Sequence, residues 1–477
     1  MVWAGRLCYA ALESDLNLSD LAVLAREDAC ACRRLGCTLN AERLRIVPLC
    51  VCLVLSTFAQ ACLGAEPDTK SAVPVRALED LNLKGGTADN PPFTDTLLGA
   101  DSDLRKEMFR HGLLFRMGAN GAYIQNTIAA PVNEDAVSYT GQRPFVSGSL
   151  NPVLTWDLRQ LGLWKTQLNI NGQLQKANWG PAQPTAATIS TVYVYHEFGE
   201  DRAELKFGYL TTDFQFIGLQ VGGQVASGAQ GVYAVLPYEV GLSYGALGAP
   251  TVTLKVRGPM GFYAKGAAQR AGEPGSEDAA LRRDGLGLRF LPKGDKLVLV
   301  GELGHKQQPA VGTMQHWYRA GYMVNSTPYT SLKTGEKKSG NYCAYALADR
   351  QVWQPDEASA GRGIYAGASA MVVPADLDTY RLYYEARVYA PAPFRSRPGD
   401  FASVVASYTA ISQDTLRTLA AEGKTFSRAS DSVTGSYTLR LARGTYAGLG
   451  LSYVNGPSVT PKTAAALTFT AQTSIFF

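Results

Sequence analysis

Cysteine is nearly absent from the working part of this chain. Seven of its eight cysteines (Cys8, Cys30, Cys32, Cys37, Cys50, Cys52 and Cys62) lie in the first 62 residues, leaving Cys343 alone thereafter. A chain exported past that point has no internal disulfide to rely on, which excludes a small disulfide-stapled module. Long apolar runs are missing too. No stretch approaches the roughly twenty residues that a spanning helix needs, so transmembrane helices are excluded. Histidine is scarce, with His111, His196, His305 and His316 as the full set. No His-Glu-x-x-His spacing occurs, and Cys30-Ala-Cys32 with Cys37 lacks the second ligand pair of a zinc site. Neither a metal nor a cofactor is called for. Charge is modest, with a formal net charge of +4 and basic residues scattered along the chain, so nothing points to nucleic acid.

What is present begins with export. Arg43 and Arg45 precede the apolar run Ile46–Phe58, and small residues follow from Ala59 to Ala65. This is a basic, apolar and cleavable arrangement of the secretory type, with cleavage expected after Ala61 or Ala65. Residues 1–42 read as an unusual leader or a mis-called start, and 43–65 as the signal peptide. Residues 66–100, rich in Pro, Gly, Asp and Thr, read as a periplasmic lead-in, and 101–477 as one large domain. Within it, Asp103–His111 has helical spacing, with Leu104 and Met108 four apart and Asp101 or Ser102 as the cap.

From Leu113 onward the period is two. In Gln167–Gln175 one face carries Leu168, Ile170, Gly172 and Leu174. The other carries Gln167, Asn169, Asn171, Gln173 and Gln175. An all-amide face is too polar for a protein core but suits water or sugar hydroxyls. Tyr383, Arg381, Glu385 and Arg387 share a face in the same way, opposite Leu382, Tyr384, Ala386 and Val388. The chain ends in the same alternation, from Leu467 to the terminal Phe477, with Thr468, Thr470, Gln472 and Ser474 on the polar side. About ten such residues, tilted, cross a bilayer. The pattern predicts an all-β fold, a transmembrane antiparallel β-barrel of about 16 strands with a short N-terminal helix. The last strand of a soluble sandwich is the alternative for the terminal segment alone. Alternation weakens over Thr211–Pro250 and Ala310–Lys338, which read partly as long extracellular loops, some folding inward.

Several segments, in order, resemble the carbohydrate-selective porins of the OprB type. They include Asp103-Leu-Arg-Lys-Glu with His111-Gly-Leu-Leu-Phe-Arg116, Leu154–Trp164 before the amide strand, Glu204–Leu210 with Asp213-Phe, Gly340–Asp349, Gly363-Ile-Tyr-Ala-Gly, and Phe394–Asp400. The resemblance covers most of residues 100–477. It implies a bacterial outer-membrane porin that passes small sugars by passive diffusion into the periplasm, with outer-membrane lipids and the barrel-assembly machinery as partners. Monomer and homo-oligomer both stay open. Gly448–Tyr453 departs from the family's Gln-Pro-Asp-x-Gln-Tyr strand, leaving a general porin, or a channel for another small polar solute, as the alternative.

Expected pore-lining residues are Arg381, Glu385 and Arg387, the amides Asn169, Asn171 and Gln173, and Trp179 as a sugar-stacking platform or an interfacial residue. Arg105 and Glu107 join them if the entry helix tucks inside, as the resemblance implies. No enzyme is expected. Gly241-Leu-Ser-Tyr-Gly245 matches the nucleophile-elbow string, but Ala246–Pro250 behind it cannot start the helix that motif requires.

Overall fold

A computed structural model describes residues 75–81, 84, 91–128, 137–180, 182–217, 236–243, 245, 248–272, 296–355 and 359–477. The leader and signal readings (1–42 and 43–65) lie outside the described residues. Among the described residues, the α-helices α1 (Val75–Asp80) and α2 (Asp103–Arg110) precede the sheet. Ser102 caps α2, its hydroxyl accepting from the Arg105 N–H.

Sixteen antiparallel strands then close into one barrel. The first five are β1 (Leu113–Asn126), β2 (Phe145–Asp157), β3 (Thr166–Ala177), β4 (Ala186–Phe198) and β5 (Ala203–Leu210). After the short helices α3 (Asp213–Phe216) and α4 (Leu236–Glu239) come β6 (Ala249–Arg257), β7 (Phe262–Arg270), β8 (Leu297–Gln307) and β9 (His316–Thr330). Then β10 (Lys337–Trp353), β11 (Ile364–Val372), β12 (Tyr380–Pro391) and β13 (Phe401–Ile411) lead to helix α5 (Gln413–Ala421). Finally β14 (Ala429–Ala442), β15 (Thr445–Asn455) and β16 (Ala466–Phe476) complete the circuit. β16 pairs with β1 from Gly118↔Phe476 to Asn126↔Thr468. That pairing removes the last free sheet edge, so the strands' backbone donors and acceptors bond within the barrel.

The two faces of the wall follow the period of two. On β8, Leu303 is 70% exposed on the outside while its neighbour Glu302 is 2% exposed on the inside. Leu299, Val388, Val404 and Leu451 belong to the outer face, and Arg319, Gln351, Glu385 and Arg387 to the inner. Tight connections such as Gly199–Arg202, Gly258–Gly261 and Arg443–Gly444 gather at one rim with the end of the chain. The connections 127–144, 211–248 and 271–296 leave from the other. Gly444 has φ +65°, and a Cβ there would meet backbone atoms of Leu97 and Phe476, so the β14–β15 turn needs glycine.

One expectation from the sequence is corrected. Ala310–Lys338, read partly as a long extracellular loop, is mostly the full strand His316–Thr330, with only short connections on either side. Its alternation is weak because polar and apolar residues occur on both faces: Tyr318, Ala320, Tyr322 and Val324 with Ser326 outward, and Arg319 and Asn325 with Met323 and Tyr329 inward. Met323 is apolar because it packs under residues of the 211–248 connection.

The lead-in is bound to the short-turn rim. Asp95 accepts from Arg440 (Nε at 2.9 Å, Nη2 at 2.7 Å), the Gly444 N–H (3.0 Å) and the Tyr446 hydroxyl. Burial works against its charge, but these donors hold the Asp95 carboxyl below the usual carboxylate range. Leu97 N–H donates to Phe476 O at 2.8 Å. Farther round, Gln167 reaches Leu81 O at 3.3 Å and Lys84 pairs with Glu197 at 3.3 Å.

A closed barrel of this kind resists detergent until heated. The unheated protein therefore runs faster on a denaturing gel than the boiled one, and Asp95→Ala, which leaves Arg440 and Gly444 without their acceptor, converts several-fold faster at an intermediate temperature.

Candidate functional site: the inner wall and its inward loop

The connection between β5 and β6 enters the barrel. Thr212 and Asp213 N–H groups donate to Ser243 O at 3.2 and 3.1 Å, and the Thr212 and Ser243 hydroxyls bond at 2.9 Å. Gln269 of β7 accepts from Thr212 and donates to Gly241 O at 3.0 Å. Both limbs of the loop are thus stapled to each other and to the wall. Ser243, the centre of the Gly-x-Ser-x-Gly string, serves in this staple, its hydroxyl also reaching Leu210 O at 3.0 Å.

Three inward cations hold the entry limb by its carbonyl groups. Arg319 donates to Phe216 O (2.9 Å) and Ile217 O (3.2 Å), Lys206 to Gln215 Oε1 (3.2 Å), and Lys265 to Gln215 O. Below them Glu302 accepts from Lys265 and Tyr263 at 2.9 Å and from Tyr345 at 2.8 Å. Sequence reasoning did not single out this network. Its signal was present as inward-phase charge in Glu204-Leu-Lys206 and in Arg319. Apolar residues of the loop (Phe216, Ile217, Leu236, Val240 and Leu242) pack on Val298, Val300, Met323, Cys343, Leu347 and Met371. The inner face of β8–β11 is apolar there because the loop covers it.

The return limb ends in a latch. The two carboxylate oxygens of Glu239 accept from the N–H groups of Thr379 (3.1 Å) and Tyr380 (3.2 Å) in the β11–β12 connection. Tyr329 hydroxyl donates to Glu239 O at 2.8 Å, and Asn325 to Val240 O at 2.8 Å. Asp378 stands nearby, held by Asn341 at 2.8 Å. Burial, reinforced by the Asp378 charge, pushes the Glu239 carboxyl up to about 8; burial pushes Asp378 up to about 7.

The residues expected to line a pore divide between three places. Glu385 and Arg387 lie on the inner face of β12 in one network. Arg387 donates to Asp349 (2.6 and 2.9 Å), Glu385 (2.7 Å) and Ser369 (2.6 Å), and Tyr383 donates to Glu385 at 2.5 Å. Arg381 stays outside that network, at the irregularity where the β12–β13 register jumps from Tyr380 to Leu382, and its Nε has no hydrogen-bond partner. On β3, Asn169 accepts from Thr155 at 2.9 Å while its Nδ2 is unpartnered, Asn171 Oδ1 is unpartnered, and Gln173 donates to Gln175 at 2.8 Å.

Three residues belong elsewhere. Trp179 is 4% exposed, packed on Ile124 and Phe145 with the Arg143 guanidinium 4.2 Å above its ring, so it presents no open platform. Arg105, 1% exposed, folds the lead-in instead of entering the lumen. It donates to Thr96 Oγ1 (2.7 Å), Phe93 O (3.3 Å) and Gly99 O, and Phe93 lies between it and Arg116. Glu107 pairs along α2 with Arg110 at 2.7 Å and His111 at 3.2 Å. Among the described residues no cluster of His, Cys, Asp and Glu could hold a metal ion. His316, expected in a loop, donates or accepts at 2.8 Å with His305 on the neighbouring strand.

This architecture has known counterparts. The chain matches the family model described as carbohydrate-selective porin, OprB family, over residues 93–477. No protein with a curated description matches it. Among solved structures, a high-pH structure of OprB from Pseudomonas putida is similar over 79% of this chain and 96% of that one, with a TM-score of 0.64 and 14% identity. A low-pH structure of the same protein covers 80% and 98%, with a TM-score of 0.51 and 12% identity. At such identities the structural likeness speaks for the fold alone, whereas the family match spans most of the chain and the whole barrel. The chain therefore belongs to the OprB family of carbohydrate-selective porins and is a bacterial outer-membrane β-barrel for carbohydrate passage.

Proposed function

We propose that small sugars cross this barrel between the inward β5–β6 loop and the polar inner faces of β2–β4 and β12–β16. The reading is carried by one observation: the loop covers the apolar part of the inner wall, and the rest of that wall, on β2–β4 and β12–β16, is polar. On β3, Asn171 and Gln173 are only half-buried on the inner face, whereas Asn169 is fully buried. On β13–β15, hydroxyls pair across strands, Ser403 with Ser436 at 2.6 Å, Ser407 with Ser432 at 2.9 Å and Thr434 with Ser452 at 2.7 Å. A sugar hydroxyl can exchange its water for half-buried amides such as Asn171 and Gln173 at little net cost in either direction, and that near-balance suits passage rather than storage.

Glu385, Arg387 and Asp349 act as a rigid charged step in the wall. Arg387 is fixed by four acceptors, so it contributes field without moving. Arg381, less constrained, is the residue of this strand free to meet a solute. Asn171 and Gln173 supply the neutral contacts. Trp179, Arg105 and Glu107 shape the rims and lead-in rather than the path. No reacting constellation is required, since passage is driven by the concentration gradient. The terminal strand, ending on the β1 pairing, is the segment that the assembly machinery would engage.

Planar-bilayer recordings test the path. Glucose or maltose reduces the current through the wild type, and Asn171→Leu with Gln173→Leu raises the half-blocking concentration several-fold while the sugar-free conductance changes little. Absence of block by any sugar overturns the selective path. Arg387→Ala leaves Asp349 and Glu385 uncompensated, so it shifts ion preference toward cations and destabilises the barrel by roughly 3–5 kcal/mol. Arg381→Ala alters conductance with little loss of stability.

The latch gives a pH dependence. Both folded pKa values lie above those of free carboxyls, so the folded state holds these protons more tightly. Its stabilisation is complete below about pH 4 and is lost as pH rises toward about 8 through the two folded values. Current fluctuations from a loosened loop should increase between pH 6 and 9, and Glu239→Gln should flatten that rise.

A further inference from the structure

One arc of the inner wall carries far more positive than negative charge. Lys206 of β5, Lys255 and Arg257 of β6, Lys265 of β7, Lys306 of β8 and Arg319 of β9 all occupy inward positions, phased with buried Glu204, Tyr263, Glu302 and Met323. Register ties them together: Glu204 faces Lys255, Lys255 faces Lys265, and Lys265 faces Glu302. Against these six cations the same faces offer two carboxylates. Glu204 is shared by Arg257 at 2.6 Å and Lys255 at 3.8 Å, while Glu302 is taken by Lys265 and two tyrosine hydroxyls.

The loop that enters beside this arc does not restore the balance. Residues 211–248 contain only Asp213 and Glu239 as charged side chains, and Glu239 is latched to the β11–β12 connection. Arg319 spends its donors on the loop carbonyl groups of Phe216 and Ile217, which orient a cation without cancelling its charge. Lys306 and Arg319 also stand over the Trp317 ring at 4.6 and 3.9 Å. Even with Asp213 added to Glu204 and Glu302, six cations face three carboxylates, leaving a net positive field along this arc beside the loop. Low-dielectric walls focus such a field onto a passing solute.

From this arc we infer that the channel prefers carbohydrates carrying negative charge, sugar acids with a carboxylate, over neutral sugars of the same size. The inference rests on the carbohydrate-porin reading and narrows its substrate class. The carboxylate is drawn to the β5–β9 arc while the hydroxyls use the amides and hydroxyls of the facing strands. Lys255, 3.8 Å from Glu204 and over the Tyr263 ring, and Lys306, over the Trp317 ring, add to this attraction from β6 and β8.

Two bilayer measurements decide it. Under a potassium chloride gradient, the zero-current potential should have the sign of anion preference; a cation-preferring potential overturns the inference without touching sugar passage. In 0.1 M salt, gluconate should half-block at a concentration roughly five-fold or more below that of glucose, and the gap should shrink to about two-fold in 1 M salt, where the screening length falls from about 10 Å to about 3 Å. Equal block by gluconate and glucose at low salt overturns it. The Lys255→Gln, Lys306→Gln double variant, checked for folding by its heat-shifted gel band, should narrow the low-salt gap and leave the glucose half-block within about two-fold. If the fold is lost, the salt comparison on the wild type stands alone. Failure of glucose to block at any concentration, with anion preference intact, counts against neutral-sugar passage and not against the charge preference.

Discussion

Backbone hydrogen bonds cannot be left open in a bilayer, because hydrocarbon offers no substitute for water. The pairing of β16 with β1 is therefore the contact on which everything else depends. It converts a long meander with two exposed edges into a wall with none. Once the wall is closed, side-chain placement is fixed by parity: alternate residues meet lipid or lumen, and one register slip would exchange them. Asp95 guards that seam from the lead-in. It ties Arg440, Gly444 and Tyr446 near the β14–β15 turn, while Leu97 bonds to Phe476. The residue that closes the rim is thus far in sequence from the strands it secures.

Parity made much of the barrel legible. Gln167–Gln175 and Tyr383–Arg387 show clean alternation, and both occupy strands with polar residues inward. The α2 helix could be read from its spacing and cap because Ser102 and the 103–110 pattern are local signals. His316–Thr330 was harder for a physical reason. An inner face that is covered by a loop mixes apolar residues such as Met323 with donors such as Arg319 and Asn325 that bond the loop, so the contrast between faces fades. Met323 and Cys343 are apolar on the inside for the same reason. The period of two reports a strand only where its two sides see different solvents.

The site was less legible than the wall. Residue type singled out Arg387 and Glu385, and these do meet, because charges two apart on one strand are necessarily on one side. Arg105 looked similar by type yet is consumed by carbonyl and hydroxyl acceptors within the lead-in. Trp179 was ambiguous by type, and its burial under Arg143 depends on a contact between two connections. The Lys206, Lys265 and Arg319 clamp comes from three strands well separated in sequence. Nothing local says that their inward positions converge on one loop.

The loop explains why the inner wall has two characters. Inserting it buries Phe216, Ile217, Leu236, Val240 and Leu242, which favours entry, but it also brings loop carbonyl groups to a wall they could not otherwise leave unbonded. Lysine and arginine satisfy those carbonyl groups as donors that accept nothing in return. A neutral donor would make a weaker hydrogen bond and leave no field. The choice of cations therefore couples two properties: the groups that hold the loop in place also set the charge seen by a solute beside it. Glu302 moderates the coupling at Lys265, and Glu204 does so at Arg257, while Arg319 binds carbonyl groups and an indole face. Loop position and charge preference are consequences of the same side chains, so a change to the clamp should alter both together.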